Sequence, residues 1–360
     1  MEKNEIVTIK NLLNPKIPEG AKSIYFDNLI SDKGLILPFG VNDARFSKLT
    51  KVTEFSCPSS LTYLSMESLK SLDNLVLNEG LEILELNSVT NADGFIFPST
   101  LKELHLDSLE NPKGLILPEG LEELHLNSVK DLKDVVLPKS LKYLYLNSLE
   151  TVEDVTFPSG LEELSLNGLE DIQPLVIPSN IKKLYLDNAK VVVNKVIPDS
   201  LETLSMNNAT IVRGVVLPKN MDFLSLNSLE DFSTITLPEK VNVLYINGKK
   251  DIKDLKLPEI TKRLELNGLQ SLDGFIFPHM EDVSSVSFDG VRIVQNFVFP
   301  EELGDISLKN AILFKNVKFT EALLSLDRPK LQYYEDTKLP LTLLDDDEKE
   351  NDYIPINRTK

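Results

Sequence analysis

The sequence predicts a repeat solenoid, mainly β, with two short parallel strands in each 20-residue coil and about 15 coils. Three observations carry that prediction. Proline returns at a fixed step, apolar residues fall in pairs spaced two apart, and turn-forming residues stand at fixed offsets between the pairs.

The proline step comes first. Pro18, Pro38, Pro58, Pro98, Pro118, Pro138, Pro158, Pro178, Pro198, Pro218, Pro238, Pro258 and Pro278 keep a step of 20, and Asn78 fills the vacant slot. Pro300 arrives two residues late, so Glu281-Asp282 reads as an insertion; Thr320 and Pro340 then resume the step. Chance does not produce such a register.

The apolar pairs define the strands. One coil reads Leu121, Leu124, Leu126, Val129, Leu132, Val135, Leu137, Pro138; the next reads Leu141, Leu144, Leu146, Leu149, Val152, Val155, Phe157, Pro158. Spacing two places Leu124 with Leu126, and Val135 with Leu137, on one face of a strand. Val129 to Leu132 has spacing three, which suits a corner or one 3₁₀ turn and is too short for an α-helix. The phrase "LPEG" puts Pro and Gly where a type I turn wants them. Before the second strand stand Gly34, Asn74, Gly94, Gly114, Asp134, Asp154, Gly214, Asp254 and Gly274, types that tolerate left-handed backbone angles. Stacking places equivalent residues about 4.8 Å apart in continuous columns, and each coil buries its apolar side only against its neighbours.

The repeat frame sets the domains. Residues 1–20 are expected to cap the first coil, 21–322 to form the solenoid and 323–344 to cap its end. Residues 345–360, acidic and aperiodic, read as a disordered tail. A net charge of −18 disfavours nucleic acid and anionic membranes as partners. One cysteine, Cys57, excludes an intramolecular disulfide framework. The N-terminus has no signal-peptide core and no apolar run is long enough to span a bilayer. The expected location is cytoplasmic, or exported without a Sec signal.

The segment Leu121-Glu122-Glu123-Leu124-His125-Leu126 resembles the LxxLxL segment of leucine-rich repeats. The preceding Leu-Pro and the 20-residue length resemble the short repeats of Yersinia and Shigella leucine-rich effectors. The strand-Pro-turn-strand rhythm is similar to BspA-like and FNIP-type repeats, although the FNIP tetrad is absent. The family asparagine slot holds Leu109, Val129, Leu149 and Leu169. Asparagine or aspartate stands two places earlier, at Asn87, Asp107, Asn127, Asn147, Asn167, Asp187, Asn207, Asn227, Asn247 and Asn267. The resemblance implies a right-handed coil and a protein that binds other proteins or large ligands. The Asn/Asp column is expected to bond backbone groups at the corner, rung after rung.

No enzyme signature is present: no phosphate-binding loop, no nucleophile elbow and no H-E-x-x-H. Cys57 takes a slot held elsewhere by Leu117 or Phe157 and reads as a buried core thiol. No cofactor is expected. His105 and His125, one coil apart with Asp107 nearby, are of the types that hold a divalent ion, but a flat ladder supplies a third ligand poorly. They are read instead as two solvated histidines on a binding surface, with no metal site. The candidate binding residues are the outward side chains His105, His125, Tyr143, Tyr145, Tyr185, Phe223 and Tyr245, because aromatics on a rigid sheet make interface anchors. The bland alternative is stacking that merely stabilises the ladder. A rival stripe of Ile36, Val76, Ile96, Ile116, Val136, Thr156, Val176, Val196, Val216 and Thr236 marks the outward side of the second strand. It reads as β propensity or as a face for self-association. The expected function is a non-enzymatic scaffold that binds a protein, basic or amphipathic, through the LxxLxL face. A structural or adhesive surface protein is the alternative.

Overall fold

The computed structural model describes residues 6–9, 17–248, 256–273, 276–277, 285–300, 303–319, 325–327, 333–335 and 337. The acidic stretch 345–360 lies outside them, as do Asp254 and Gly274. The chain divides into two compact units, Met1–Tyr185 and Leu186–Lys360.

In the first unit the LxxLxL segments form strands, as the spacing-two leucines require. Strands Ser23–Phe26, Asp43–Phe46 and Tyr63–Met66 have four residues. Those from Ile83–Glu85 to Lys183–Tyr185 have three. Each pairs in parallel with its counterpart 20 residues on, so Glu103 faces Glu123, Leu104 faces Leu124 and His105 faces His125. The chain segment Ile6–Ile9, inside the expected N-terminal cap, adds a parallel strand against Ser23–Phe26. The inward residues Leu104, Leu106, Leu124, Leu126, Leu144 and Leu146 are all 0% exposed. Each such leucine contributes roughly 2 kcal/mol by leaving water.

Corners follow the turn chemistry. The amide of Leu121 bonds the Pro118 carbonyl at 3.1 Å, and the corners at Pro38, Pro58, Pro98, Pro138, Pro158, Pro178 and Pro198 repeat the bond. At the second corner Val129 bonds Leu126 at 3.1 Å and Val135 bonds Leu132 at 3.0 Å, so the turns flank the stretch from Val129 to Leu132 where the spacing of three predicts a corner or one 3₁₀ turn. The slot before the second segment is left-handed at Gly34, Asn74, Gly94, Gly114, Asp134, Asp154 and Gly214, with φ from 60° to 71°.

The second segment is less regular than two full ladders. In the first unit it shows one parallel bridge among the described residues, Ile96 with Ile116. Val135, Leu137, Val155 and Phe157 are half-buried, so this side packs less tightly than the LxxLxL side. In the second unit it pairs at Val215–Val216 with Ile235–Thr236 and through Phe297 and Val298 with Val317 and Lys318, and the corner before it becomes a ladder as well: Val191–Val193 pairs with Ile211–Arg213, and Ser271–Asp273 with Ile293–Val298, which pairs with Leu313–Lys318. The first strands there also lengthen, to Asn220–Ser225, Lys240–Tyr245 and Glu259–Glu265. Parallel pairing continues to Ser325–Asp327 and Tyr333–Glu335, within the range expected to cap the end. Phenylalanines replace leucines in the core here: Phe297 and Phe299 meet edge to face at 4.6 Å, and Phe299 stacks on Phe319 at 4.9 Å.

The Asn/Asp column is a hydrogen-bonded ladder in both units. In the first, Asn127 Nδ2 donates to Asp107 Oδ1 at 2.7 Å and Asn147 Nδ2 to Asn127 Oδ1 at 2.8 Å; the Asn167 amide donates to Asn147 Oδ1 at 3.3 Å. In the second, the Asn247 amide donates to Asn227 Oδ1 at 2.9 Å and the Asn267 amide to Asn247 Oδ1 at 2.8 Å. Each side chain thus satisfies a backbone donor that the corner leaves without a strand partner.

Candidate functional site

The outward residues of the first-unit strands form two adjacent columns on either side of the central leucines. One runs through Tyr63, Ile83, Glu103, Glu123, Tyr143, Glu163 and Lys183. The other runs through Ser65, Glu85, His105, His125, Tyr145, Ser165 and Tyr185. The strand pleat sends both outward, and the 20-residue register brings like positions side by side.

The histidines are not solvated as the sequence reading expects. Their rings stack at 3.8 Å between centroids, 11° from parallel, with side-chain exposures of 15% and 18%. Parallel in-register pairing sets equivalent side chains nearly on top of one another, and two flat rings fill that spacing face to face. His105 Nε2 lies 2.7 Å from Glu103 Oε1, and His125 Nε2 lies 2.8 Å from Glu123 Oε1. An ionised carboxylate accepts only, so each contact places a proton on Nε2.

Tyr145 continues the stack, its ring 4.2 Å from His125. Its hydroxyl donates to Glu163 Oε1 at 3.0 Å. Burial, then the Glu163 carboxylate, pushes that hydroxyl well above the ordinary tyrosine range. Glu163 is 9% exposed and pairs with Lys183 Nζ at 3.0 Å. Tyr185 lies in the same column, two coils beyond Tyr145, with Ser165 on the coil between. Tyr143 lies in the neighbouring column between Glu123 and Glu163. The structure therefore joins His105, His125 and Tyr145 in one stack, and Tyr185, two coils on, adds to the upward push on the Tyr145 hydroxyl. Phe223 and Tyr245 belong to the second unit and meet edge to face at 5.2 Å, with Arg263 5.8 Å from the Tyr245 ring.

Two charged residues escaped the sequence reading, Arg45 and Asp32, and so did one contact of Glu163. Arg45 lies between the Tyr25 and Tyr63 rings, 4.8 and 4.3 Å from their centroids, and bonds Asp43 at 3.1 Å. Tyr25 stands 20 residues before Arg45 in its own column and Tyr63 18 residues after it in the neighbouring one, and those offsets were the available signal. Glu163 is half-covered by Tyr145 from the next column, a diagonal contact that a one-column reading does not see. Asp32 is 0% exposed and accepts from the amides of Thr53, Glu54 and Phe55 at 2.7 to 2.8 Å. Burial pushes its carboxyl up, but the Thr53 side chain and these amides outweigh it and hold it below the usual carboxylate range.

Cys57 is half-buried rather than a core thiol. It donates to Asn78 Oδ1 at 2.6 Å, the residue standing in the vacant proline slot, and burial pushes its thiol up. A raised thiol is poorly suited to nucleophilic work.

The second stripe is exposed. Ile36, Ile96 and Val136 are each 79% exposed and Val176 is 80% exposed in the first unit; Val196 is 85% exposed in the second. No helix among the described residues is long and apolar enough to cross a membrane.

No protein-family model matches the chain, and no curated protein matches it. Solved structures do. YopM from Yersinia enterocolitica WA-314 is 17% identical with a TM-score of 0.51, over 94% of this chain and 72% of YopM. CroV588, described as a novel circular LRR protein, is 15% identical with a TM-score of 0.49 over 91% of this chain. The chain spans 66% of the length of CroV588. With its parallel 20-residue register and the likeness to YopM, the chain has the leucine-rich-repeat fold, a parallel β-solenoid.

Proposed function

We propose that this chain is a non-enzymatic repeat scaffold that binds a protein through the outward face of the LxxLxL strands. The supporting observation is the stack of His105, His125 and Tyr145, three rings fixed side by side and partly open to solvent. Glu103, Glu123 and Glu163 hold their polar atoms. Rings already ordered by their own fold lose little side-chain entropy when a partner docks. The carboxylates beside them favour a basic or amphipathic partner over an acidic one.

A second reading draws on the exposed aliphatic column. Ile36, Ile96, Ile116 and Val136, each more than half exposed, suit self-association, as in a structural or adhesive surface protein. One experiment separates the two. The chain is used to capture partners from lysate of its source cells, and the retained protein is then titrated against three variants. Tyr145→Ala with Tyr185→Ala is expected to weaken binding by about 2 kcal/mol or more, roughly thirtyfold. Tyr145→Phe keeps the ring, drops the bond to Glu163 and is expected to bind nearly as wild type. Loss of binding in Ile116→Lys with Val136→Lys, alongside normal binding by the tyrosine pair, moves the site to the aliphatic column.

A further inference from the structure

We propose that His105, Asp107 and His125 form a binding site for a late first-row divalent cation, of which zinc is the probe. One donor atom from each lies within 4.8 Å of the other two, and all three side chains are half-buried. Two imidazoles and one carboxylate form a donor set that such ions prefer over calcium or magnesium, which take oxygen.

The hydrogen bonds on the rings prepare them for this role. Nε2 of each imidazole is committed to a glutamate two residues earlier, Glu103 for His105 and Glu123 for His125. With the proton on Nε2, the lone pair is on Nδ1, across Cε1 from it. That is the carboxylate–histidine arrangement in which the outer carboxylate fixes the tautomer and raises the basicity of the nitrogen left for a metal. It occurs twice, on successive coils. Asp107 uses Oδ1 to accept from Asn127 Nδ2 at 2.7 Å, which orients the carboxylate. Carboxylates on both sides of the imidazoles favour a dication and repel an anion.

A second observation lies one coil earlier. In the Asn/Asp column the residue before Asp107 is Asn87, whose Oδ1 is buried without a hydrogen-bond donor. Among the described residues it is the buried side-chain acceptor left in that condition. A buried acceptor with no donor is unfavourable, and a metal-bound water relieves it by donating to it. Asn87 stands one coil before Asp107 in the same column, where its unmet acceptor can hold a metal-bound water.

The geometry demands one movement. Donors around a tetrahedral zinc stand roughly 3.3 Å apart, given bonds of about 2.0 to 2.1 Å. The ion must also lie near the plane of each ring, whereas the rings now stack 11° from parallel. Binding therefore fans the two rings open, each pivoting on its Nε2–glutamate contact, and partly unstacks His105 from His125.

The chain has only three histidines, so their imidazole resonances form a small spectrum. Zinc chloride is titrated into the full chain labelled with ¹⁵N-histidine. Two of the three histidines are expected to respond together, saturating at one equivalent, with the large change at Nδ1. Calcium chloride at the same concentration is expected to leave them unmoved. Asp107→Asn is expected to weaken zinc by tenfold or more, in the range that loss of a ligand or its orienting group produces. That variant keeps the fold, because asparagine fills the same slot at Asn127 and Asn147. His105→Gln is expected to abolish the response of His125 as well. Four results each overturn the site: no shift at tens of micromolar zinc, a response confined to the third histidine, an equal response to calcium, or zinc affinity in Asp107→Asn within about twofold of wild type.

Discussion

The two units share a 20-residue period and a leucine core, yet they turn their second corner differently. In the first unit, position 11 of the coil is a side chain that bonds the amide two residues on. Asp131 Oδ1 accepts from the Lys133 amide at 2.8 Å, Asp171 Oδ1 from Gln173 at 2.8 Å and Asn111 Oδ1 from Lys113 at 3.1 Å. Ser71 and Thr151 do the same with their hydroxyls. These local turns draw the chain away from a ladder. In the second unit the equivalent residues are Val191, Ile211, Ile293 and Leu313, which have no such acceptor, and there the chain runs as paired strands. Asp231 tests the rule inside the second unit. It accepts from the Ser233 amide at 2.9 Å, and Phe232–Thr234 becomes a 3₁₀ turn. Two residues depart from the rule: Ser271, a hydroxyl residue that begins a strand, and Lys51 in the first unit, which has no side-chain oxygen and begins none. The lesson is that the period fixes where a corner falls, while one side-chain oxygen decides whether it is a turn or a strand.

The first corner shows the same division. In the first unit Gly20 and Gly40 stand two places after a proline, and Gly80 two places after Asn78, all with positive φ, and the next residue closes the turn. In the second unit Asn220, Lys240 and Ile260 follow, and the strand runs back through them. Between Lys240–Tyr245 and Glu259–Glu265 the register slips, Val241 facing Ile260 but Val243 facing Arg263, so the added length is taken up in a bulge.

Substitutions can break or sharpen this comparison. The largest effect is expected from what the units share. Leu124→Asp and Leu224→Asp each place a carboxylate in a fully buried column, at a cost of about 3 to 5 kcal/mol. Thermal denaturation should show a similar large loss in both; a mild effect in either means that its column is not the core. Next comes Asp32→Ala, which orphans three backbone amides in the first unit and is expected to cost ~3 kcal/mol. Asp32 also gives a pH signature. Its folded carboxyl lies below its ordinary value, so its contribution is present in full above about pH 4 and is lost as pH falls through the folded value. The wild type should therefore lose more stability than the variant below that pH in denaturant melts.

The corner rule itself is tested by smaller effects. Asp131→Val is expected to cost about 1 kcal/mol and to speed amide exchange at Lys133. Ile211→Asp is expected to pull its segment into a turn, exposing the Asn194 amide that now bonds the Arg213 carbonyl at 2.8 Å. Unchanged exchange at Asn194 means that strand packing, not the position-11 side chain, decides the corner. Smallest of all is Glu122→Ala. Its pairs with Lys142 and Lys102 are solvent-exposed, so a change under about 0.5 kcal/mol is expected in the melting curve.

Most of the fold was legible because repetition makes every residue a vote on its slot. The inward leucines, the left-handed position at Asn74 or Asp134 and the bonding of Asn127 to Asn147 all follow from types recurring at fixed offsets. The position-11 rule was equally present, in Asp131 against Ile211, but it shows only when coils are compared for what they lack. The site was less legible. The stacking of His105 on His125 needs the register and also the two glutamates that turn the rings, and Tyr145 reaching Glu163 crosses columns. Asp32 reads as an ordinary surface aspartate until the next coil folds over it.

The asparagine ladder has a consequence for how such a chain changes length. From Asn127 to Asn167 each rung takes its acceptor from the rung one period before, as Asn147 does from Asn127 and Asn127 from Asp107. No rung depends on its absolute place in the chain. Loss or duplication of one whole period within the ladder hands every corner amide an equivalent oxygen, so the gene can grow or shrink in units of 20 codons. A change of one residue more or fewer moves every later asparagine off its corner at once. The ladder thus works as a reading frame at the level of the protein, tolerant of whole words and intolerant of single letters.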